Sequence, residues 1–136
     1  VGIHTNVPQE VLTVAGNISS SGGLSAQGPF LMTGIADLGN NGVGGPWSIN
    51  LAGYNLQKIV LTASVTQVTA HYPTPGRTIN IKLSAFDADF TLAWNNDWRW
   101  AGMKPSVLAR NKIGMLSLQA WGTTEADVIA SFATED

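Results

Sequence analysis

The 136-residue chain contains no cysteine. Neither disulfides nor thiolate-bound metals hold it together, and its stability has to come from packing and association. Charge is scarce as well, with Asp, Glu, Lys and Arg at 12% of residues against 44% hydrophobic, roughly half the charged share of an ordinary globular domain. The formal net charge of −2 supplies no basic field, so neither nucleic acid nor an anionic membrane surface is an expected partner. No apolar run approaches the roughly 18 residues that span a bilayer, and membrane insertion is not expected. The sequence also lacks a Gly-x-Ser-x-Gly elbow, a His-Glu-x-x-His helix and a phosphate loop. No cofactor and no enzymatic activity are expected.

What is present divides the chain by charge. Residues 1–57 carry only Glu10 and Asp37 together with most of the 15 glycines. All seven Lys and Arg, and all but two of the nine acids, follow from Lys58. Within residues 1–28 the apolar residues Ile3, Val7, Leu12, Val14, Ile18 and Leu24 stand isolated among Gly, Ser, Thr and Asn. They are too few to build a core and too regular for a solvated linker. Copies of the same chain wound about a shared axis would bury them, which makes the protein an expected obligate oligomer.

The residues Gly2-Ile3-His4-Thr5-Asn6-Val7-Pro8, then Leu12-Thr13-Val14-Ala15-Gly16-Asn17-Ile18, then Ser20-Ser21-Gly22 resemble the shaft motif of bacteriophage tail fibres and tail spikes. That family runs Gly-Ile-Gly-Thr, Pro, Leu-x-Val-x-Gly-x-Ile, Gly, and His4 stands where it carries glycine. The resemblance implies an interwoven homotrimeric shaft, location in the virion and contact with other tail proteins. With Val1 already inside the motif, the chain is expected to be the C-terminal part of something longer. The expected organisation is a shaft over 1–28, a glycine-rich neck with the first strand over 29–57, hinged at Gly39-Asn40-Asn41-Gly42-Val43-Gly44-Gly45-Pro46, and a tip domain over 58–136.

Period-2 alternation dominates the rest and predicts half-buried strands. It runs through Trp47, Ile49 and Leu51; Ile59, Leu61, Ala63 and Val65; Ile79, Ile81 and Leu83; Phe90, Leu92 and Trp94; Leu116, Leu118 and Ala120; and Val128, Ala130 and Phe132. Pro73-Thr74-Pro75-Gly76, Asn95-Asn96-Asp97 and Gly122-Thr123-Thr124 separate these runs as turns. Residues 124–130 are the one candidate for a helical turn. The expected fold is all-β, an antiparallel β-sandwich of jelly-roll type. Pro75 to Ile81, Phe90 to Trp94 and Trp98-Arg99-Trp100-Ala101-Gly102 also resemble C-terminal tail-fibre domains, a resemblance that implies a fold but identifies no receptor pocket.

Candidate chemistry is concentrated in the aromatics. Trp98, Arg99, Trp100, Trp121 and Tyr72 are the candidate ligand-binding residues, because flat rings stack on sugar faces and Arg supplies directional hydrogen bonds. Trp98 and Trp100 have a second reading, as residues that close the end of the sandwich or pack between subunits. Asp87 and Asp89 could offer oxygen to a cation, but two carboxylates are only part of a six- to eight-oxygen shell. His4 and His71 fall in different parts of the chain. Arg99, Lys104, Arg110 and Lys112 read either as ion-pairing residues or as a patch for acidic polysaccharide. The expected function is a non-enzymatic fibre tip that attaches a virion to a host-surface polysaccharide or lipopolysaccharide. The alternatives are a purely structural virion part with a capping head, and a free carbohydrate-binding lectin module.

Overall fold

Short alternating runs rich in Val, Ile, Thr and aromatics suit a pleated surface with one buried face, and the described residues fold into ten strands. In the computed structural model, residues 34–40 and 45–135 are described, all belonging to one compact unit, Thr33–Asp136. The expected shaft and His4 lie outside the described residues. The strands are β1 (Ile35–Asn40), β2 (Pro46–Asn50), β3 (Leu56–Leu61), β4 (Val65–His71), β5 (Arg77–Ala85), β6 (Phe90–Trp94), β7 (Arg99–Trp100), β8 (Val107–Leu108), β9 (Lys112–Ala120) and β10 (Val128–Thr134). A 3₁₀ turn, Glu125–Asp127, precedes β10.

The fold is all-β and two-layered. One sheet has the order β1-β3-β5-β9-β10-β7 and the other β2-β4-β6-β8. Strand direction differs from the antiparallel jelly roll expected. The first six strands alternate between the sheets, so β1, β3 and β5 lie parallel in one and β2, β4 and β6 parallel in the other. Only then does the chain reverse: β9 runs antiparallel to β5 and β10 antiparallel to β9, while β8 lies antiparallel to β6. Period-2 alternation reports which side chains point inward and is blind to the direction of the neighbouring strand.

The same blindness explains a second difference. The run from Ile59 to Val65 reads as one strand but breaks after Leu61, and β4 begins in the other sheet. Leu61 and Val65 are both buried, from opposite layers, so a corner mimics continued alternation. The strands of the expected neck also share the tip's core, since Ile49 and Leu51 join the same buried cluster as Ile81, Leu92 and Leu118. Each such aliphatic side chain contributes about 1.5–3 kcal/mol by leaving water.

Register explains one glycine. Gly114 pairs with Leu83 on one side and Thr134 on the other, and a Cβ there would lie 2.3 Å from the Phe132 ring. Phe132 packs against the core through Trp94, so the ring has little room to yield. Gly114→Ala is expected to cost about 1–3 kcal/mol by overpacking in a denaturant titration. Combining it with Phe132→Leu should recover part of that loss, and strictly additive losses would show that the ring is not the obstacle.

Candidate functional site

Alternation between layers sorts the loops by end. Strands β2, β4 and β6 finish where β3, β5 and β10 start, so the connections 51–55, 72–76, 95–98 and 121–127 gather at one end of the sandwich. Three large exposed aromatics stand on them: Tyr54, Tyr72 and Trp121, 60%, 61% and 69% exposed.

The tryptophans of the 94–100 segment lie beneath this rim. Trp94 packs against Trp100 at a centroid distance of 5.2 Å and 63°, and against Trp98 and Phe132 at 6.1 Å each, within the range of favourable aromatic pairs. Trp98 is 4% exposed and its indole N–H donates to Glu125 Oε2. Trp98 is therefore a core residue and not a sugar platform. Trp100 is half-buried on the edge strand β7 and packs on the same core. Its indole N–H is buried without a hydrogen-bond partner. Arg99, between them, points to the exposed side.

Glu125 is the residue that sequence reasoning missed. Its second oxygen, Oε1, accepts the Ala70 backbone N–H at 2.7 Å, so one carboxylate ties β4 of one sheet to the turn before β10 of the other. An acid in a 3₁₀ turn gives no sequence signal for a partner 27 and another 55 residues away. Two residues on, Asp127 accepts from Thr124 Oγ1 at 2.7 Å and Thr124 N at 3.0 Å. The Thr124 hydroxyl bond, then its backbone N–H, hold the Asp127 carboxyl below the usual carboxylate range, with Arg99 adding attraction. Gly122 makes room for it, since a Cβ there would meet the carboxylate at 2.3 Å.

Tyr72 and Trp121 reach the rim by different means. Tyr72 sits at φ 56, a left-handed conformation that costs a bulky residue about 1–2 kcal/mol. Its ring packs edge-on against His71 at 3.6 Å. The chain then turns through Thr74-Pro75-Gly76-Arg77, closed by Arg77 N–H donating to Thr74 O at 3.1 Å, with Gly76 at φ +83. Proline followed by a positive-φ glycine is the type II turn pattern. Trp121 follows β9 directly, and its ring borders a shallow cleft of about 320 Å³ shared with Arg77, Thr78 and Gln119. Arg77 is half-buried and anchored by Nη2 donating to Ala52 O at 2.8 Å.

Asp87 and Asp89 lie at the opposite end, in the β5–β6 connection. Both are exposed, and Asp89 Oδ1 accepts the Arg110 backbone N–H at 2.7 Å. Among the described residues, no three His, Cys, Asp or Glu gather to hold a metal ion. Of the five candidate ligand residues, the fold brings Tyr72 and Trp121 together at one rim with Arg99 on the flanking edge strand, and withdraws Trp98 and most of Trp100 into the core. No protein family, curated protein or solved structure matches the chain. The fold and site define a two-layer β domain whose one end presents exposed aromatics above a buried tryptophan cluster.

Two outcomes follow from the carboxylates. Glu125→Ala leaves the Trp98 and Ala70 donors unpaired and is expected to cost about 1–3 kcal/mol, read by denaturant unfolding with tryptophan fluorescence. Because its folded pKa is depressed, Asp127 contributes stability that is full above about pH 4 and lost as pH falls through the depressed value. Carboxyl NMR titration should place its midpoint below that of the same group in Thr124→Val.

Proposed function

We propose that this chain is the tip of a phage tail fibre or spike, a non-enzymatic homotrimer that attaches the particle to a host-surface glycan. The observation that carries the reading is that Tyr72 and Trp121, both more than half exposed, stand on neighbouring loops of one end. Rings that present an apolar face and a polar edge to water at one end of the domain are the side chains that stack on sugar faces. Tyr72 is moreover held in a strained backbone conformation, a feature that clusters at ligand-binding sites. Adjacent Arg77, Thr78 and Gln119 supply the directional donors and acceptors that orient a sugar. The shaft-like motif over 2–22 supports the trimer.

A purely structural part is the second reading, favoured by the buried Trp94, Trp98 and Trp100 cluster, which closes this end of the core. The readings separate in one experiment. On immobilised host polysaccharide or lipopolysaccharide, the full chain is expected to bind and leave the polymer length unchanged. Trp121→Ala and Tyr72→Ala should each weaken binding about tenfold, the equivalent of about 1.4 kcal/mol, with unchanged melting temperature. No binding by the unaltered chain refutes the attachment role and leaves the structural one. Sedimentation equilibrium should give a mass of three 14.3 kDa chains, and a monomer refutes the fibre architecture.

A further inference from the structure

A second cleft, about 470 Å³, follows the edge of the sandwich where β1 and β2 end their sheets. Its size falls within the roughly 300–1,000 Å³ of small-ligand sites. Trp47, Tyr54, Ser48, Asn50, Gln57 and Leu38 face it, and none of the described residues lining it is charged. The Trp121 cleft, by contrast, includes Arg77.

The polar wall is built and held. Gln57 is 4% exposed, and its Nε2 donates to Asn50 O at 3.2 Å and Tyr54 O at 3.1 Å. Asn50 Oδ1 accepts the Ala52 backbone N–H at 2.9 Å, and Gly53 N–H donates to Asn50 O at 3.3 Å. The turn carrying Tyr54 is thus pinned by a buried amide and two local bonds. Burying a polar amide costs free energy unless it is bonded, and this one spends its donors on shaping the wall. The aromatic wall is also placed. Trp47 packs against the core while lining the cleft, and the Tyr54 ring lies so close over Gly34 that a Cβ there would sit 2.8 Å from it.

Two aromatic residues with neutral amides and a hydroxyl, in a concavity without charge, match one ligand chemistry. The rings can stack on the C–H faces of a sugar, and the Asn50 side-chain amide and Ser48 hydroxyl, on exposed positions, can exchange hydrogen bonds with its hydroxyls. An acidic or cationic ligand would meet no counter-charge, and a purely apolar one would bury Asn50 and Ser48 against hydrocarbon. We propose that this cleft is a subsite for a neutral saccharide unit, distinct from the cleft beside Trp121; it rests on the glycan-binding reading above.

The test uses the full chain, tryptophan fluorescence and calorimetry, with maltose, lactose and chitobiose as neutral probes and sialyllactose as an acidic one. At least one neutral disaccharide is expected to bind with the same affinity at low and high salt, because no charge is there to be screened. Tyr54→Ala, an exposed position, should weaken it about tenfold, Tyr54→Phe should stay within about threefold, and Trp121→Ala should leave it unchanged. Neutral binding that survives Tyr54→Ala but is lost in Trp121→Ala overturns the subsite and leaves the attachment role standing. Binding of sialyllactose alone does the same. If neither these probes nor host polysaccharide bind, the attachment role falls and the subsite with it.

Discussion

Each of the first six strands must leave one sheet and land in the other, so every connection crosses a core about 10 Å thick. That constraint sets the rest. Strands adjacent in a sheet are two apart in the chain and run the same way. All connections of one parity then fall at the same end, and residues 51–55, 72–76 and 95–98 share it without any contact between them being needed. The corners are short because apolar residues flank them on both sides: Leu61 closes β3 and Val65 opens β4, both buried. The reversal into β9 and β10 completes the larger sheet and brings a fourth loop, 121–127, to the same end.

At that end two aromatic populations are stacked in depth. The deeper one seals the core, and its polar atoms are bonded where geometry allows: Trp94 Nε1 donates to Pro105 O and Trp98 Nε1 to Glu125. A charged acceptor makes a stronger bond than a neutral one, so Glu125 joins the two sheets at the point where the loops would otherwise splay. The outer population is Tyr54, Tyr72 and Trp121; the loop that begins with Trp121 and the strand that leads into Tyr72 are tied to this seal through Glu125. Rigid loops with exposed rings lose little conformational freedom on binding, and that is the physical sense in which the buried tryptophans could serve recognition without touching a ligand.

Much of this was legible in the sequence and some was not. Inward positions such as Ile79, Ile81 and Leu83 followed directly from alternation, as did the Pro75-Gly76 turn from its residue chemistry. The parallel order of β1, β3 and β5 did not, because a period of two is common to both strand directions. Trp98 and Trp100 share spacing and neighbours with a surface platform, and the decisive fact, an acid 27 residues on from Trp98, has no local signature. Tyr54 and Trp47 lay outside the tryptophan-rich segment. Only the pairing of β2 with β4 and of β1 with β3 at the sandwich edge makes them neighbours of one cleft.

The scarcity of charge acquires a location. Arg99 lies at the aromatic end beside Asp127, whereas Arg110 and Lys112 belong to the opposite end, where Lys112 pairs with Ala85. Arg99 is therefore separated from Arg110 and Lys112 by the length of the strands. Lys58 is engaged by Asp37 at 2.8 Å, with both side chains more than half exposed, a pair of small energetic weight. Cations divided in this way, among the described residues, add little long-range attraction for a polyanion. For the ligand proposed above, selectivity would come from short-range stacking and neutral hydrogen bonds, which act only once a ligand is seated. That argues for a neutral saccharide in the cleft between β1 and β2, and it assigns the few carboxylates to holding loops.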